Sequence, residues 1–404
     1  MVHDSPLQDD RAAIDSYVIG RMDQIWEFSR YVWENPEVGY EEHKACAVQC
    51  ELLKKEGFEV AVGVGGVETA FLATWGSGSP VIGVCSEYDA LPGLGHACGH
   101  NLICATSVLT GMAVRSAMIS SGVSGTIKII GTPAEEGGGG KIRLLDAGVF
   151  DGVDAVFMMH PTSDKTRLAG ACLSVAQTKI VFHGRPAQAA SHPDRGRNAL
   201  SAAELFLHAI SLWREQFKGD VRASHIYVQG GDKTNTIPDE VVLAGNLRSL
   251  SPIGLRWVVN TAEECARHCA AAMGCTVDFS SEEGYQGRLP NATLSEACRE
   301  EFESLGEPLL PGMPMDFGGE DIGNVSRVIP ACCPYGTIFP EHKISGHTPQ
   351  FREYAGSDAG RRCIEVSAKA MGRTIMRCLR KPGLLDMAKD ELCSRLAKEE
   401  AETS

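Results

Sequence analysis

Apolar residues recur at helical spacing early in the chain, at Ile25, Phe28 and Val32 and again at Cys46, Leu52 and Leu53. That period predicts helix over residues 9–56, broken by the Pro-containing turn "ENPEVGYEE" and a fresh helix start. From residue 58 the period changes. The continuous apolar run "PVIGVCSEY" reads as a buried strand and "LICATSVLTGMAVRSAM" as an amphipathic helix. "GTIKIIGTP" is the next strand, "GGKIRLLDAGVF" a helix and "DAVFMMHP" another strand. Apolar strands separated by helices predict an α/β fold whose mostly parallel sheet is covered on both faces. Between residues 175 and 288 the order becomes βαββαβ, the pattern of a ferredoxin-like unit. The apolar pattern then returns, so residues 1–174 and 289–404 are expected to form one discontinuous α/β domain around an inserted domain of residues 175–288.

The polar residues are placed as regularly as the apolar ones. Glu87 and Asp89 follow one predicted strand, Glu135 and Glu136 the next, and His160 the third. Ligands of open α/β sheets bind beyond the C-terminal strand ends. Polar loops are ordinary, but three successive loops bearing metal-capable side chains are not accounted for by loop polarity.

Composition narrows the function classes. The net charge of −14 and the lack of a basic run exclude a nucleic-acid partner from the expectation. No apolar run reaches the roughly 18 residues of a membrane span, so no membrane partner is expected. The polar, acidic start "MVHDSPLQDDRAAIDSY" does not read as a secretory signal, and fifteen scattered cysteines read as reduced, buried residues of a cytoplasmic protein. The charged tail from Met387 to Ser404 is expected to fray.

The chemistry concentrates in "YDALPGLGHACGHN" (residues 88–101) and "TPAEEGGGG" (residues 132–140). Cys and His are preferred zinc ligands, and carboxylates complete hydrolytic sites. With Glu136, His160 and a late His347, the Cys-x-His pair has donors enough for two metals. Side chains at successive positions diverge, so of Glu135 and Glu136 one can ligate while the other takes a proton from water.

These stretches, with "MMHP", "GGDKTNTIPD" and "GHTPQF", resemble the aminoacylase/carboxypeptidase metallopeptidase family, in its amidohydrolase branch, in order from about residue 20 to 375. The resemblance implies a dinuclear-metal catalytic domain with an inserted lid domain that dimerises. It implies metal ligands Cys98, His100, Glu136, His160 and His347, with Cys98 where other branches use a bridging carboxylate. Glu135 would be the general base and Asp89 would orient a ligand. Where other branches have a His this chain has Glu87, whose role the resemblance leaves open. His96 lines the loop without ligating, and His43, His208, His225 and His268 read as surface or packed histidines. Asn235 matches a substrate contact of the lid, with a structural turn as the other reading. Gly318 and Gly319, in "FGGEDIG", match a substrate-facing loop. The cofactors would be two divalent cations, zinc by the thiolate's preference, with manganese or cobalt as alternatives.

One position departs from the pattern. Relatives carry a His at the start of the lid that helps to polarise the scissile carbonyl, and this chain has Gln188 in "GRPAQAAS". Gln donates a hydrogen bond but carries no positive charge; His192, four residues on, could substitute. The expected function is a metal-dependent amidohydrolase that cleaves an N-acyl amino acid or small dipeptide by a metal-activated water. Two alternatives stand beside it: amide formation on the same site, and a non-catalytic ligand-binding homologue.

Overall fold

The computed structural model describes residues 5–339 and 341–401. The chain divides into two compact units. One runs up to Ala171 and resumes at Arg288–Asp316 and Glu320–Ala397; the other consists of Cys172–Gly287 with Phe317–Gly319 and a short C-terminal stretch. Gly318 and Gly319 therefore belong with the second unit, outside the span that the sequence pattern assigned to it.

The first unit is built on a six-stranded sheet. Its strands lie in the order Glu59–Val62, Phe71–Ser77, Gly125–Gly131, Val81–Ser86, Ala155–Phe157, Ala331–Cys332. The last four run parallel to one another and the first two pair antiparallel, so the sheet is mixed, a parallel majority with an antiparallel edge. The cause is the short connection from Glu59–Val62 to Phe71–Ser77. It permits an antiparallel return, whereas a parallel one needs a crossover of about a dozen residues or more. In the parallel part Val84 pairs with both Ile129 and Phe157, which places an unbroken apolar row in the middle of the sheet.

The helix His100–Ser121 supplies the core beneath the sheet. It is long and apolar enough to cross a membrane by composition, but 83% of its apolar window is buried inside the protein. It packs against the helices Ser5–Glu34 and Asp358–Arg380, and Leu109, Met112, Ile129 and Ile375 share one cluster. The described residues contain no disulfide, and most of the cysteines are buried among apolar side chains. The tail is helical, in place of the fraying expected from Met387: Pro382–Ala401 is a helix, with residues 402–404 outside the described ones. Leu385, Ala388 and Leu392 recur three and four apart and are buried, so a narrow apolar stripe docks an otherwise charged helix.

The second unit contains the main elements Ser174–His183, helix Ala199–Trp213, Arg222–Gln229, Glu240–Ser249, helix Pro252–Ala272 and Thr276–Glu283. Its four strands are ordered Arg222–Gln229, Glu240–Ser249, Ser174–His183, Thr276–Glu283, with every neighbouring pair antiparallel. Ala176, Ile180 and Phe182 alternate onto the buried face and meet Phe206, Ile210 and Val258 of the two helices. Asn198 and Ser251 cap those helices by accepting backbone N–H bonds.

The docked tail also caps another helix. Glu391 accepts the backbone N–H groups of Ala292 and Thr293, at 2.7 and 2.9 Å, in the first turn of Ala292–Ser304. Burial opposes the charge of Glu391, but these bonds outweigh it and hold its pKa below the ordinary value. A depressed carboxylate pKa contributes stability above the unfolded-state value and loses it as pH falls through the folded-state value. We therefore expect Glu391→Gln, which keeps one acceptor oxygen, to lower unfolding stability at pH 7 by about 0.5–1 kcal/mol, the lower part of the usual worth of a cap. In denaturant melts the gap from wild type should shrink as pH falls below the ordinary glutamate range. A gap independent of pH would mean that the charge of Glu391 contributes nothing.

Candidate metal and catalytic site

Four parallel strands end on one edge of the sheet, and the loops leaving three of them build the site. Val81–Ser86 leads to Glu87 and Asp89, Gly125–Gly131 to Glu135 and Glu136, and Ala155–Phe157 to His160. The loop continuing from Asp89 carries Cys98 and enters the long helix at His100. Gly99 between them has φ +80°, and a Cβ there would lie 2.5 Å from Pro161 Cγ. Only glycine lets that turn bring Cys98 and His100 against the His160 loop. His347 arrives from the far end of the unit. Its backbone adopts φ 60°, and its N–H donates to Ala97 O at 3.0 Å, which ties it to the Cys98 loop.

These side chains converge. Three groups have ligand atoms all within 4.8 Å of one another: Cys98, His100 and His160; Cys98, Glu136 and His347; and His100, Glu135 and Glu136. The first two share Cys98. Its Sγ lies 3.5 Å from His160 Nε2, and Glu136 Oε1 lies 3.2 Å from His347 Nε2.

In His100 and His160 the other ring nitrogen is already engaged. His100 Nδ1 donates to Asp89 Oδ1 at 3.0 Å, and His160 Nδ1 donates to Pro161 O at 2.8 Å. Both acceptors are oxygens without a proton to give, so the two Nε2 atoms face the cluster. His160 is further fixed by stacking on Tyr335, with ring centroids 5.0 Å apart. Asp89 Oδ2 accepts the backbone N–H of Glu136 at 2.9 Å, so one carboxylate orients a histidine and holds the glutamate loop. His100 Nε2 is buried with no hydrogen bond of normal geometry among the described residues, and Glu136 Oε1 meets the His347 imidazole at 3.2 Å. A thiol, imidazoles and carboxylates turned toward one another fit divalent cations of the zinc type.

Burial disfavours charge throughout the site, and local partners decide where charge survives. Desolvation works against the Asp89 carboxylate, but the charge and hydrogen bond of His100 hold its pKa at about 2. The same pair raises His100 well above the ordinary imidazole range, against its own burial. Glu136 is partly buried, yet His347 and His100 lower its pKa. Glu135 goes the other way: burial, then the nearby charges of Glu87 and Asp321, raise it well above the carboxylate range. Desolvation pushes Cys98 up to about 12 and His160 down to about 4. Two successive glutamates thus occupy electrostatically opposite environments.

The remaining sequence-selected residues are distributed as follows. His96 is buried and held neutral, its pKa lowered to about 3 by burial, and it enters none of the three groups. His43, His208 and His268 are exposed and His225 half-buried. In the second unit Gln188 and Asn235 lie together on a two-stranded ribbon: Gln188 pairs with Thr236, and Ala189 N–H donates to Asn235 O at 2.9 Å. Gln188 Oε1 accepts from the N–H groups of Ala190 and Ser191. Two residues of the site escaped the sequence reading. Lys141 and Asp321 are fully buried and bonded to each other, and Lys141 also binds Glu87. A signal was present: Lys141 stands in the first turn of the helix Gly140–Asp146, where the helix dipole disfavours a cation.

The sequence matches the profile of the peptidase family M20/M25/M40 over residues 83–373. It is 37% identical over 399 residues to the mouse Xaa-Arg dipeptidase, covering 94% of this chain and 91% of that protein. It is 27% identical over 333 residues to the IAA-amino acid hydrolase ILR1-like 4 of Arabidopsis thaliana, covering 74% of each chain. The fold is similar to that of a dinuclear metal binding peptidase of the M20 family from Bacillus subtilis, with a TM-score of 0.71 at 23% identity over 86% of this chain and 98% of that one. A profile that spans most of the chain, and a relative that matches almost all of it, show that this protein belongs to the peptidase family M20/M25/M40.

Proposed function

We propose that this chain is a metal-dependent hydrolase that cleaves the amide bond of a dipeptide or an N-acyl amino acid. The observation that carries the reading is the pair of ligand groups sharing Cys98 beside a buried Glu135 whose pKa is raised. Cys98, His100, Glu136, His160 and His347 would hold two divalent cations, and a thiolate donor favours zinc over manganese, with cobalt also compatible. Bound cations of this kind polarise a carbonyl oxygen and make water a nucleophile near neutral pH. Glu135 takes the proton of the attacking water and returns it to the leaving amine. A raised pKa suits both halves of that task. Asp89 keeps His100 in one tautomer and orientation.

Dipeptides ending in arginine are the first substrates to test, since the mouse relative is named for them and the chain's net charge of −14 would attract a cationic substrate. The ferredoxin-like second unit would serve as lid and dimerisation domain, with Gln188, Asn235, Gly318 and Gly319 meeting the substrate. Buried cysteines without disulfides fit the reducing cytoplasm.

A second reading has a specific observation behind it. Gln188 cannot place a positive charge at the scissile carbonyl, which leaves amide formation on the same site as the alternative. Its Oε1 is turned onto its own loop, so its NH2 is the donor it would offer.

Glu135→Gln should keep both cations, by elemental analysis, and lose about 100-fold or more in kcat, the usual worth of general base catalysis. Glu136→Ala should lose metal. Reversed phenotypes would exchange the two roles.

The edge strand Arg222–Gln229 exposes Ile226 at 66% and Val228 at 63%, an open sheet edge suited to a second copy. Light scattering should show a dimer at micromolar concentration, and Ile226→Lys with Val228→Lys should yield monomer. A wild-type monomer would remove the dimer and leave the catalytic site standing.

Gln188→His should raise kcat for hydrolysis several-fold, with less change in KM, because an added cationic donor acts mainly on the transition state. If the enzyme works in the synthetic direction, the same change should speed breakdown of its own product and reduce net synthesis. No effect on either rate would make the departure at this position irrelevant to function.

A further inference from the structure

Behind the five proposed ligands lies a charged triad. Lys141 is fully buried; its Nζ donates to Glu87 Oε1 at 2.5 Å and to Asp321 Oδ1 at 2.7 Å, and its backbone N–H donates to Asp321 Oδ2 at 2.9 Å. Glu87 and Asp321 are as deeply buried as the lysine. Three segments meet here: the loop after the central strand, the helix that follows the glycine run, and the turn before Ile322–Ser326. One lysine among two carboxylates satisfies both of Asp321's oxygens but only one of Glu87's.

The other oxygen, Glu87 Oε2, is buried and makes no hydrogen bond among the described residues. It lies 3.6 Å from His100 Nε2, which is likewise buried and whose other neighbour is the Cys98 thiol. His100 cannot turn its other nitrogen toward Glu87, because Nδ1 is held by Asp89. The carboxylate oxygen and the imidazole nitrogen face each other as an ion pair too long for a hydrogen bond, and a cation held between them would take the place of the imidazole proton. Glu87 Oε2 otherwise stays buried without a hydrogen bond among the described residues, which is costly. The lysine prevents the simplest escape, a rotation of the carboxylate away from the histidine, since that would break the bond from Nζ to Oε1.

We infer that Glu87 is an additional carboxylate ligand to the cation held by His100, and that Lys141 is the positioning residue that aims Glu87 Oε2 at it. The inference rests on the metal-dependent reading given above. It adds a donor beyond the five proposed ones and gives the buried Lys141–Asp321 pair a purpose: Asp321 holds Lys141, Lys141 holds Glu87, and Glu87 faces the metal.

The test is metal binding, read independently of turnover. Metal-stripped protein is titrated with Zn2+ against a chromogenic chelator, and with Co2+ followed by visible absorption. Wild type should bind two cations. Glu87→Gln keeps the shape and an acceptor for Lys141 while removing the charge. It should weaken one of the two sites by about 10- to 100-fold, the usual effect of a change in the ligand environment, and alter the Co2+ spectrum of that site alone. Lys141→Met should weaken the same site, and Lys141→Arg should recover part of the loss. Near-UV circular dichroism checks that each variant folds; should Lys141→Met fail to fold, Glu87→Gln decides alone. A folded Glu87→Gln protein with two cations at wild-type affinity and an unchanged Co2+ spectrum would overturn the inference. Wild-type protein that binds no cation would instead overturn the metal-dependent reading itself.

Discussion

One carboxylate organises the site. Asp89 accepts the Nδ1–H of His100 with one oxygen and the backbone N–H of Glu136 with the other. The first bond fixes the tautomer of a histidine at the start of the core helix. The second fixes the loop that bears both glutamates. These partners come from different crossovers of the sheet, so their spacing is set by Asp89 rather than by chain connectivity. Burial opposes its charge, but His100 keeps its pKa at about 2, and the clamp stays ionised across the physiological range.

Around that clamp the protein buries an unusual density of charge. Glu87, Asp89, His100, Lys141 and Asp321 are all nearly or fully inaccessible. Each carries a desolvation cost that only close partners offset. Lys141 compensates Glu87 and Asp321, and His100 compensates Asp89. Well-packed apolar side chains of similar volume often serve stability as well as such buried pairs do. The arrangement is therefore understood through the site, while stability comes from elsewhere: from the apolar helix His100–Ser121 and the helices that cover it. The second unit obeys plainer rules. Its strands alternate buried and exposed positions, its helices are capped by Asn198 and Ser251, and its open edge strand carries apolar residues on the surface.

What the amino-acid order determined by itself was periodic or local. Runs such as "PVIGVCSEY" and "GTIKIIGTP" are strands because a stretch buried on both faces must be apolar throughout. The loops after them carry the reactive side chains because the C-terminal edge of a parallel sheet is where those loops emerge. The convergence of Cys98, His100, Glu135, Glu136 and His160 is therefore legible from the chain alone, and that of His347 through a motif. Tertiary structure decided whatever depends on partners distant in the chain. The sheet is mixed because its edge pairing follows from a short connection, which apolar content does not encode. The tail forms a helix because three buried residues find a surface to dock on, although its composition reads as solvated. Lys141 and Asp321 lie 180 positions apart. A lysine in a first helical turn is out of place by the helix dipole, but only the two buried carboxylates placed against it give the reason, for the energy that keeps it there is electrostatic, long in sequence and short in space.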